Sequence, residues 1–232
     1  MKRRKIAKLM AVVALVGAVG VGGSLALLTA ETGAVTNTFT VGNGLKDTDL
    51  ELDETDYTNP SGDRVKANTY NNLTPTMTLT KDPQVRVSGE ETVADCYVFI
   101  KVEGYDKFLS DVNTGYTDSD GNGLDDTTQK VLSTINDWSN KWRPFPEERT
   151  EKDGLYVYNA DGIGNEGTVV DSGLSENVFN SITLSKDATL YDEEGNKKDI
   201  STITVDALAV QATAAASSWD DAKEVAENFN WE

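Results

Sequence analysis

Short runs in which apolar and polar residues alternate follow one another along most of the chain, separated by Gly, Asn, Asp and Pro. Alternation with a period of two is typical of a strand that buries one face and exposes the other. The separating residues favour turns, because they tolerate or preset the backbone angles that turns require. The pattern predicts strands at residues 35–41, 50–52, 77–79, 85–87, 155–158 and 178–184.

Two longer runs, residues 96–102 and 203–212, are apolar on both faces. A strand of this kind is typical of a position between two packed layers. The second run assigns its apolar residues to alternate faces, with Val205, Ala207 and Ala209 on one and Leu208 and Val210 on the other. We therefore expect both strands at the centre of the fold.

Two segments have apolar residues every three or four positions, which predicts helices. The first contains Val131, Leu132, Ile135, Trp138 and Trp142. The second contains Trp219, Ala222, Val225, Ala226 and Phe229, and Ser218 precedes it as a candidate N-cap. Many strands with two such helices predict an all-β fold, a jelly-roll-like antiparallel sandwich with two short peripheral helices.

The N-terminus has the layout of a secretory signal peptide. Five basic residues lie within the first eight, and residues 9–28 carry no charge. Small residues end the apolar stretch, so cleavage by a signal peptidase is expected after Ala26 or as late as Ala30. A stretch of this length also fits a membrane anchor, and that alternative stays open. Cleavage leaves one secreted domain, residues 27–232, with an acidic insertion and helix at about 111–143.

The net charge of the chain limits the classes of partner that it can bind. The net charge is −18, and removal of residues 1–26 takes away five positive charges and no acids, giving −23. Such a chain repels nucleic acid and anionic membrane surfaces, so we expect neither as a partner after cleavage. Attraction of divalent cations and simple solubility outside the cell both explain the acidity.

The sequence contains no histidine, which excludes Ser-His-Asp triads, Cys-His pairs and HEXXH zinc sites. Carboxylate-only hydrolysis stays open in principle, but no acid pair is set apart from a solvated acidic surface. The one cysteine, Cys96, lies in the apolar run 96–102, where a buried thiol is expected. These features predict a protein that is not an enzyme.

One acidic segment has the spacing of a calcium-binding loop. Its candidate ligands are Asp118, Asp120, Asn122, Leu124 through its carbonyl, and Asp126, with Gly123 at the sharp turn. Gln129 stands at the twelfth position, where a bidentate Glu is expected. Asp-Gly and Asn-Gly sequences also form turns without any ion. Calcium is therefore the predicted cofactor, and an acidic turn is the alternative.

Several segments, in order along the chain, resemble the TasA/camelysin family of secreted biofilm-matrix proteins. They are residues 20–26 at the end of the signal region, 36–42, Lys81-Asp82-Pro83, 97–102, Asp153-Gly154 with 155–158, and 205–212 before Trp219. The signal is similar to those processed by the dedicated peptidase SipW. Leu27, Leu28 and Thr29 depart from the aromatic residues that many relatives have after the small-residue site.

The resemblance implies a jelly-roll subunit that polymerises into extracellular fibres by donor-strand exchange. The candidate assembly strand is the segment from Leu27 to Val35, with Leu27, Leu28 and Val35 as its apolar side chains. A disordered terminus and pairing within the same subunit are the alternatives. The family also includes proteins described as metallopeptidases, but a chain without histidine lacks the usual zinc ligands.

The leading hypothesis is a fibre-forming subunit, or an accessory to one, in the extracellular matrix or at the cell surface. The alternative is an adhesin or binding module that uses exposed aromatic residues such as Trp142, Tyr156 and Tyr158. A camelysin-like metallopeptidase is a weaker alternative.

Overall fold

Strands make up most of the regular structure. The computed structural model describes residues 29–31, 45, 49–88, 94–146, 149–164, 166–171, 173–212 and 218–231. The predicted signal peptide, the predicted strand at 35–41, and Leu27, Leu28 and Val35 of the candidate assembly strand lie outside these residues.

Within the described residues the chain forms eleven strands and two helices. The strands are β1 (Thr29–Glu31), β2 (Leu50–Asp53), β3 (Thr78–Thr80), β4 (Gln84–Val87), β5 (Cys96–Glu103), β6 (Thr134–Asn136), β7 (Trp142–Pro144), β8 (Gly154–Tyr158), β9 (Leu174–Asn177), β10 (Ser181–Thr183) and β11 (Thr204–Gln211). The helices are α1 (Tyr105–Val112) and α2 (Ser218–Asn228). Neither helix is long and apolar enough to cross a membrane.

The strands form three antiparallel sheets. One has the order β1-β11-β5-β8-β7, and the two smaller sheets have the orders β3-β10-β6 and β2-β4-β9. The predicted all-β antiparallel sandwich with two short helices is confirmed. Strands β5 and β11 form the centre of the largest sheet and pair over their full lengths, from Thr204 opposite Glu103 to Gln211 opposite Cys96.

The two central strands lie between two layers, as their sequences predict. Cys96, Val98, Ala207 and Ala209 face the main core, which the two smaller sheets share. The alternate residues face a second core beneath α2; they are Tyr97, Phe99, Leu208 and Val210. Burial on both faces explains why these strands lack the polar alternation of the others.

Helix α2 confirms the second helical prediction. Trp219 stacks on Phe99 with ring centroids 6.0 Å apart and planes 11° apart, and it also contacts Phe145. A Cβ on Gly167 would lie 2.7 Å from the Trp219 ring, so only glycine fits beneath the helix there. The helix therefore covers the outer face of the central strands.

The predicted helix at 131–142 is wrong. Strands β6 and β7 occupy this segment, and Asp137 between them has a φ of 59°, which a helix cannot contain. Trp138 packs against Tyr156, and Trp142 donates its indole N–H to the carbonyl of Asn177. The apolar spacing arises because two short strands and their connection face the same core, while Val131 remains half exposed.

The sequence pattern missed α1. Gly104, with a φ of 77°, precedes the helix, and Tyr105, Phe108 and Val112 are its buried residues. The carboxylate of Asp153, which immediately precedes β8, accepts the N–H of Tyr105 at 2.8 Å, so a residue distant in sequence satisfies the helix N-terminus. Of the predicted 111–143 insertion, only Asp111 and Val112, the last residues of α1, are helical.

The predicted strand at 178–184 is correct only in part. Strand β9 ends at Asn177, and β10 spans Ser181–Thr183. Val178 and Phe179 lie between them and are fully buried. The apolar run therefore corresponds to a buried turn followed by a three-residue strand.

Candidate functional site

The middle of the candidate assembly strand lies on the edge of the central sheet. Strand β1 pairs antiparallel with β11, with Thr29 opposite Val210, Ala30 opposite Ala209 and Glu31 opposite Leu208. The structure therefore brings this segment onto its own subunit, which was one of the alternatives at the sequence level. The three apolar positions proposed for it lie outside the described residues.

The described residues of β1 pair with three of the eight residues of β11. Strand β11 begins at Thr204, and among the described residues no strand pairs with this edge from Thr204 to Ala207. The backbone N–H and C=O groups of an uncovered edge can accept a further extended segment. The pairing of β1 with this edge is the feature that most resembles a strand-binding site.

A groove of about 950 Å³ lies beside the first residues of β11, Thr204 to Asp206. Seven consecutive residues, Ile200 to Asp206, line one wall. Thr204, Val205 and Asp206 of this wall belong to β11, and Ile200 to Ile203 precede the strand. Leu79, Phe108 and Ile182 contribute apolar surface to the groove.

The opposite wall consists of the end of β2 and the loop that follows it, including Asp53, Glu54, Asn68 and Tyr70. The loop is held by charged groups. Lys81 donates to Glu54 at 2.9 Å, and the second oxygen of Glu54 accepts the N–H of Asn68 at 2.8 Å. The Tyr70 hydroxyl donates to the carbonyl of Thr80, and burial raises the pKa of this phenol.

Arg64 forms several of the hydrogen bonds that hold this loop. Its five N–H groups donate to Asp53 Oδ1 (2.6 Å), Asp82 Oδ2 (3.1 Å), Thr55 Oγ1 (3.1 Å) and the carbonyls of Asp53 (3.1 Å) and Asp82 (2.7 Å). Burial works against the charge, yet the hydrogen bonds to Asp53 and Asp82 outweigh it and raise the pKa of Arg64. The acid of the Lys81-Asp82-Pro83 segment therefore anchors the groove wall.

The predicted calcium loop brings three of its candidate ligands together. Carboxylate oxygens of Asp118, Asp120 and Asp126 lie within 4.8 Å of one another. Asp118 accepts the backbone N–H groups of Asn122 (3.0 Å) and Gly123 (2.9 Å), which closes the turn. Oxygen donors of this kind fit calcium, although such acidic clusters are common without an ion.

The side chains of Asn122 and Gln129 form hydrogen bonds within the loop. The side-chain oxygen of Asn122 accepts the N–H of Leu124 at 2.8 Å, and its amide nitrogen donates to Asp120 at 2.8 Å. Gln129, at the twelfth position, donates its side-chain amide to the carbonyl of Asp125 at 3.2 Å. The three carboxylates are thus the strongest candidate ligands.

Sequence reasoning missed the residue that organises this loop, Asp125. The residue is 1 % exposed, and its carboxylate accepts hydrogen bonds from the hydroxyl and N–H of Thr128, the N–H of Thr117 and the hydroxyl of Thr127. The hydroxyl of Thr128 is the largest cause of a lowered pKa for Asp125. The signal available in the sequence is an Asp with Thr two and three residues later, a common side-chain-closed turn.

The aromatic residues considered for an adhesin do not form an exposed platform. Trp142 and Tyr156 are both 1 % exposed, and Tyr158 is half-buried. The Cys96 thiol is fully buried, and burial raises its pKa to about 12. Core packing accounts for all four side chains.

Comparisons with protein-family models, characterised proteins and solved structures find no significant match to this chain.

Proposed function

We propose that the chain is a secreted structural protein of an extracellular biofilm matrix that self-associates through its N-terminal strand. The observation that supports this most is the pairing of β1 with the β11 edge, from Thr29 opposite Val210 to Glu31 opposite Leu208. An edge that takes an extended segment from its own chain offers the same hydrogen bonds to that segment from another copy.

Exchange of the strand between copies requires no new kind of contact. Among the described strands β1 pairs only with β11, so its departure leaves every other described strand pairing intact. A segment bound to a neighbour forms the same backbone hydrogen bonds as one bound to its own subunit. Because donor and acceptor surfaces differ, the contact is head to tail and propagates into a fibre.

Charge sets the conditions for assembly. Copies that each carry a net charge of −23 after cleavage repel one another, and salt screens this repulsion. We therefore expect fibres to form faster at 0.5 M than at 0.05 M sodium chloride. Slower assembly at the higher salt concentration would argue against repulsion as the barrier.

Deletion of residues 27–34 tests the proposed function. We expect a soluble monomer with its β-sheet circular dichroism intact, because the central strands lie later in the chain. Leu28→Asp should weaken assembly more than Glu31→Ala, because the first variant places a new charge at a position where an apolar side chain is expected to be buried, and a buried charge is costly to desolvate. Electron microscopy that shows fibres of the deletion variant at the same concentration and rate would refute the mechanism.

We also propose that Asp118, Asp120 and Asp126 bind calcium and order the surrounding loop. Titration calorimetry should give a dissociation constant of about 0.1–1 mM. An Asp118→Ala, Asp120→Ala double variant should lose the heat of binding. A matched control, Asp192→Ala in another exposed acidic turn, should retain it. Absence of heat for the unmodified chain at millimolar calcium would reject the site.

A catalytic role is not part of this proposal, because the chain has no histidine and its cysteine is buried. We expect the purified chain to clear neither casein nor gelatin overlays. Clearance that survives repurification would favour the peptidase alternative.

A further inference from the structure

The outer face of the β3-β10-β6 sheet is an array of small neutral polar side chains. Thr80 lies opposite Ser181, which in turn lies opposite Asn136, and this forms one row across the three strands. The second row contains Thr78, Thr183 and Thr134 in the same register. These six residues, which we call the hydroxyl face, carry five hydroxyl groups and one amide.

The residues between the two rows show that the hydroxyl face points away from the core. Leu79 and Ile182 are buried in the main core, and Ile135 packs against it. Since side chains alternate along each strand, the six polar residues point away from the core. Thr78 and Thr80 are exposed, and the other four are half-buried.

Hydrogen bonds within the face hold its side chains in place. Asn136 donates to Ser181 Oγ (3.2 Å) and Thr183 Oγ1 (3.0 Å) and accepts from Thr134 Oγ1 at 2.9 Å. The hydroxyls of Thr78 and Thr183 are 3.4 Å apart. A hydroxyl has one donor and two acceptor positions, so this network leaves most of the capacity of the face for a ligand.

Charge indicates the class of ligand. None of the six side chains is ionisable, in a chain whose net charge is −18. The overall charge repels an anionic polymer, and no fixed cation in the face offsets that repulsion. A ligand rich in neutral hydroxyl groups can form hydrogen bonds with the donors and acceptors of the face that are not already engaged, without burying a charge.

We propose that the hydroxyl face binds a neutral polysaccharide. Neighbouring strands lie about 4.8 Å apart, and positions two apart along a strand are separated by about 6.6 Å, so the array presents regularly spaced hydrogen-bonding groups to an extended polymer. Each hydrogen bond between neutral groups contributes little, so binding by one subunit is weak. A polymer that spans several subunits of a fibre binds more tightly through multivalency.

Affinity electrophoresis tests the proposal on the monomeric chain, so that failure here leaves the assembly mechanism unaffected. Native gels contain either a soluble neutral β-glucan or the anionic polymer polygalacturonate. The neutral glucan should retard migration and polygalacturonate should not. A Thr78→Val, Thr183→Val double variant should weaken retardation about tenfold, because two hydroxyls are lost while shape and strand preference are kept.

The matched control is Thr117→Val with Thr150→Val, two exposed threonines outside the face, which should migrate like the unmodified chain. Equal retardation of the two double variants would overturn the proposal, as would retardation by polygalacturonate alone or by neither polymer. Concentration-dependent dimerisation that disappears in the Thr78→Val, Thr183→Val variant would also overturn it, and would identify a second copy as the occupant. Identical thermal melting of all variants excludes unfolding as the cause.

Discussion

Removal of Arg64 provides a quantitative test of how the groove wall is held. Its guanidinium makes five hydrogen bonds to Asp53, Thr55 and Asp82, and its side chain is 22 % exposed. In Arg64→Met, Asp82 loses its only cationic partner among the described residues, whereas Asp53 keeps Arg86. The perturbation therefore leaves one poorly compensated carboxylate.

Removal of one partner from a buried ion pair costs about 3–5 kcal/mol. Partial exposure of Arg64 and the remaining hydrogen bonds from Thr55 to Asp82 reduce this figure, so we expect about 2–3 kcal/mol. With a urea dependence of about 2 kcal/mol/M, the unfolding midpoint should fall by roughly 1–1.5 M. Arg64→Lys should recover only part of the loss, because an ammonium cannot reproduce the planar fork.

Equilibrium urea unfolding, followed by circular dichroism, measures this difference. Lys107→Met is the matched control, because Lys107 forms an exposed ion pair with Asp111 on α1 and its side chain is 68 % exposed. Its effect should stay within about 0.5 kcal/mol. An Arg64→Met variant within 0.5 kcal/mol of the unmodified chain, or an Arg64→Lys variant equal to it, would show that the network does not hold the loop.

Three further changes test other parts of the fold. Gly104→Ala should destabilise the chain by about 2–3 kcal/mol in urea unfolding, because φ is 77° and a Cβ would lie 2.1 Å from the carbonyl oxygen of Thr202; no effect would mean that α1 can shift. Asp125→Asn should lower the melting temperature at pH 7. Because the folded pKa lies below the ordinary 3.8, this stabilisation is present above about pH 4 and is lost as pH falls through the folded value, so the two chains should converge in acid. A constant difference down to pH 2 would contradict this cause. Trp219→Ala should cost about 3 kcal/mol and increase binding of an apolar dye, as α2 loosens from the sheet; unchanged unfolding would show that the helix contributes little.

Apolar patterning predicts the centre of this fold because the pattern there has one interpretation. Residues 96–100 of β5 and 207–210 of β11 are buried on both faces and are all apolar, and the apolar residues of α2 recur at helical spacing from Trp219 to Ala226. Local pattern and tertiary environment agree at these places. Their order in the sheet, however, depends on pairing between residues about a hundred positions apart.

The segment 131–142 shows where pattern alone fails. The spacing of its apolar residues fits a helix. However, Asp137 has a positive φ, and the indole N–H of Trp142 donates to the carbonyl of Asn177. Such contacts form only when the rest of the sheet is in place, so tertiary packing overrides local preference. The sequence pattern does not reveal helix α1, because the helix is short and the acceptor for its first N–H group, the Asp153 carboxylate, lies far away in the sequence.

The candidate sites differ in how far apart their residues lie in the sequence. The spacing of Asp118, Asp120 and Asp126 predicts a cluster that the structure brings together, because all three lie in one loop. The groove combines walls from residues 52–70 and 200–206, and no local pattern brings these together. The hydroxyl face lies between the two cases: Thr-Leu-Thr, Ser-Ile-Thr and Thr-Ile-Asn are visible in the sequence, but only strand pairing aligns them.

Disulfide trapping tests the central claim most directly. Ala30 and Ala209 are direct partners in the β1–β11 register, so Ala30→Cys with Ala209→Cys, in a Cys96→Ala background, reports which chain supplies the strand. Ala30→Cys with Ala207→Cys is the register-shifted control. Oxidation of assembled protein should give a ladder of covalent multimers for the first pair and little crosslinking for the control. Crosslinks that stay within single chains in assembled fibres, or equal ladders for both pairs, would contradict strand donation along β11.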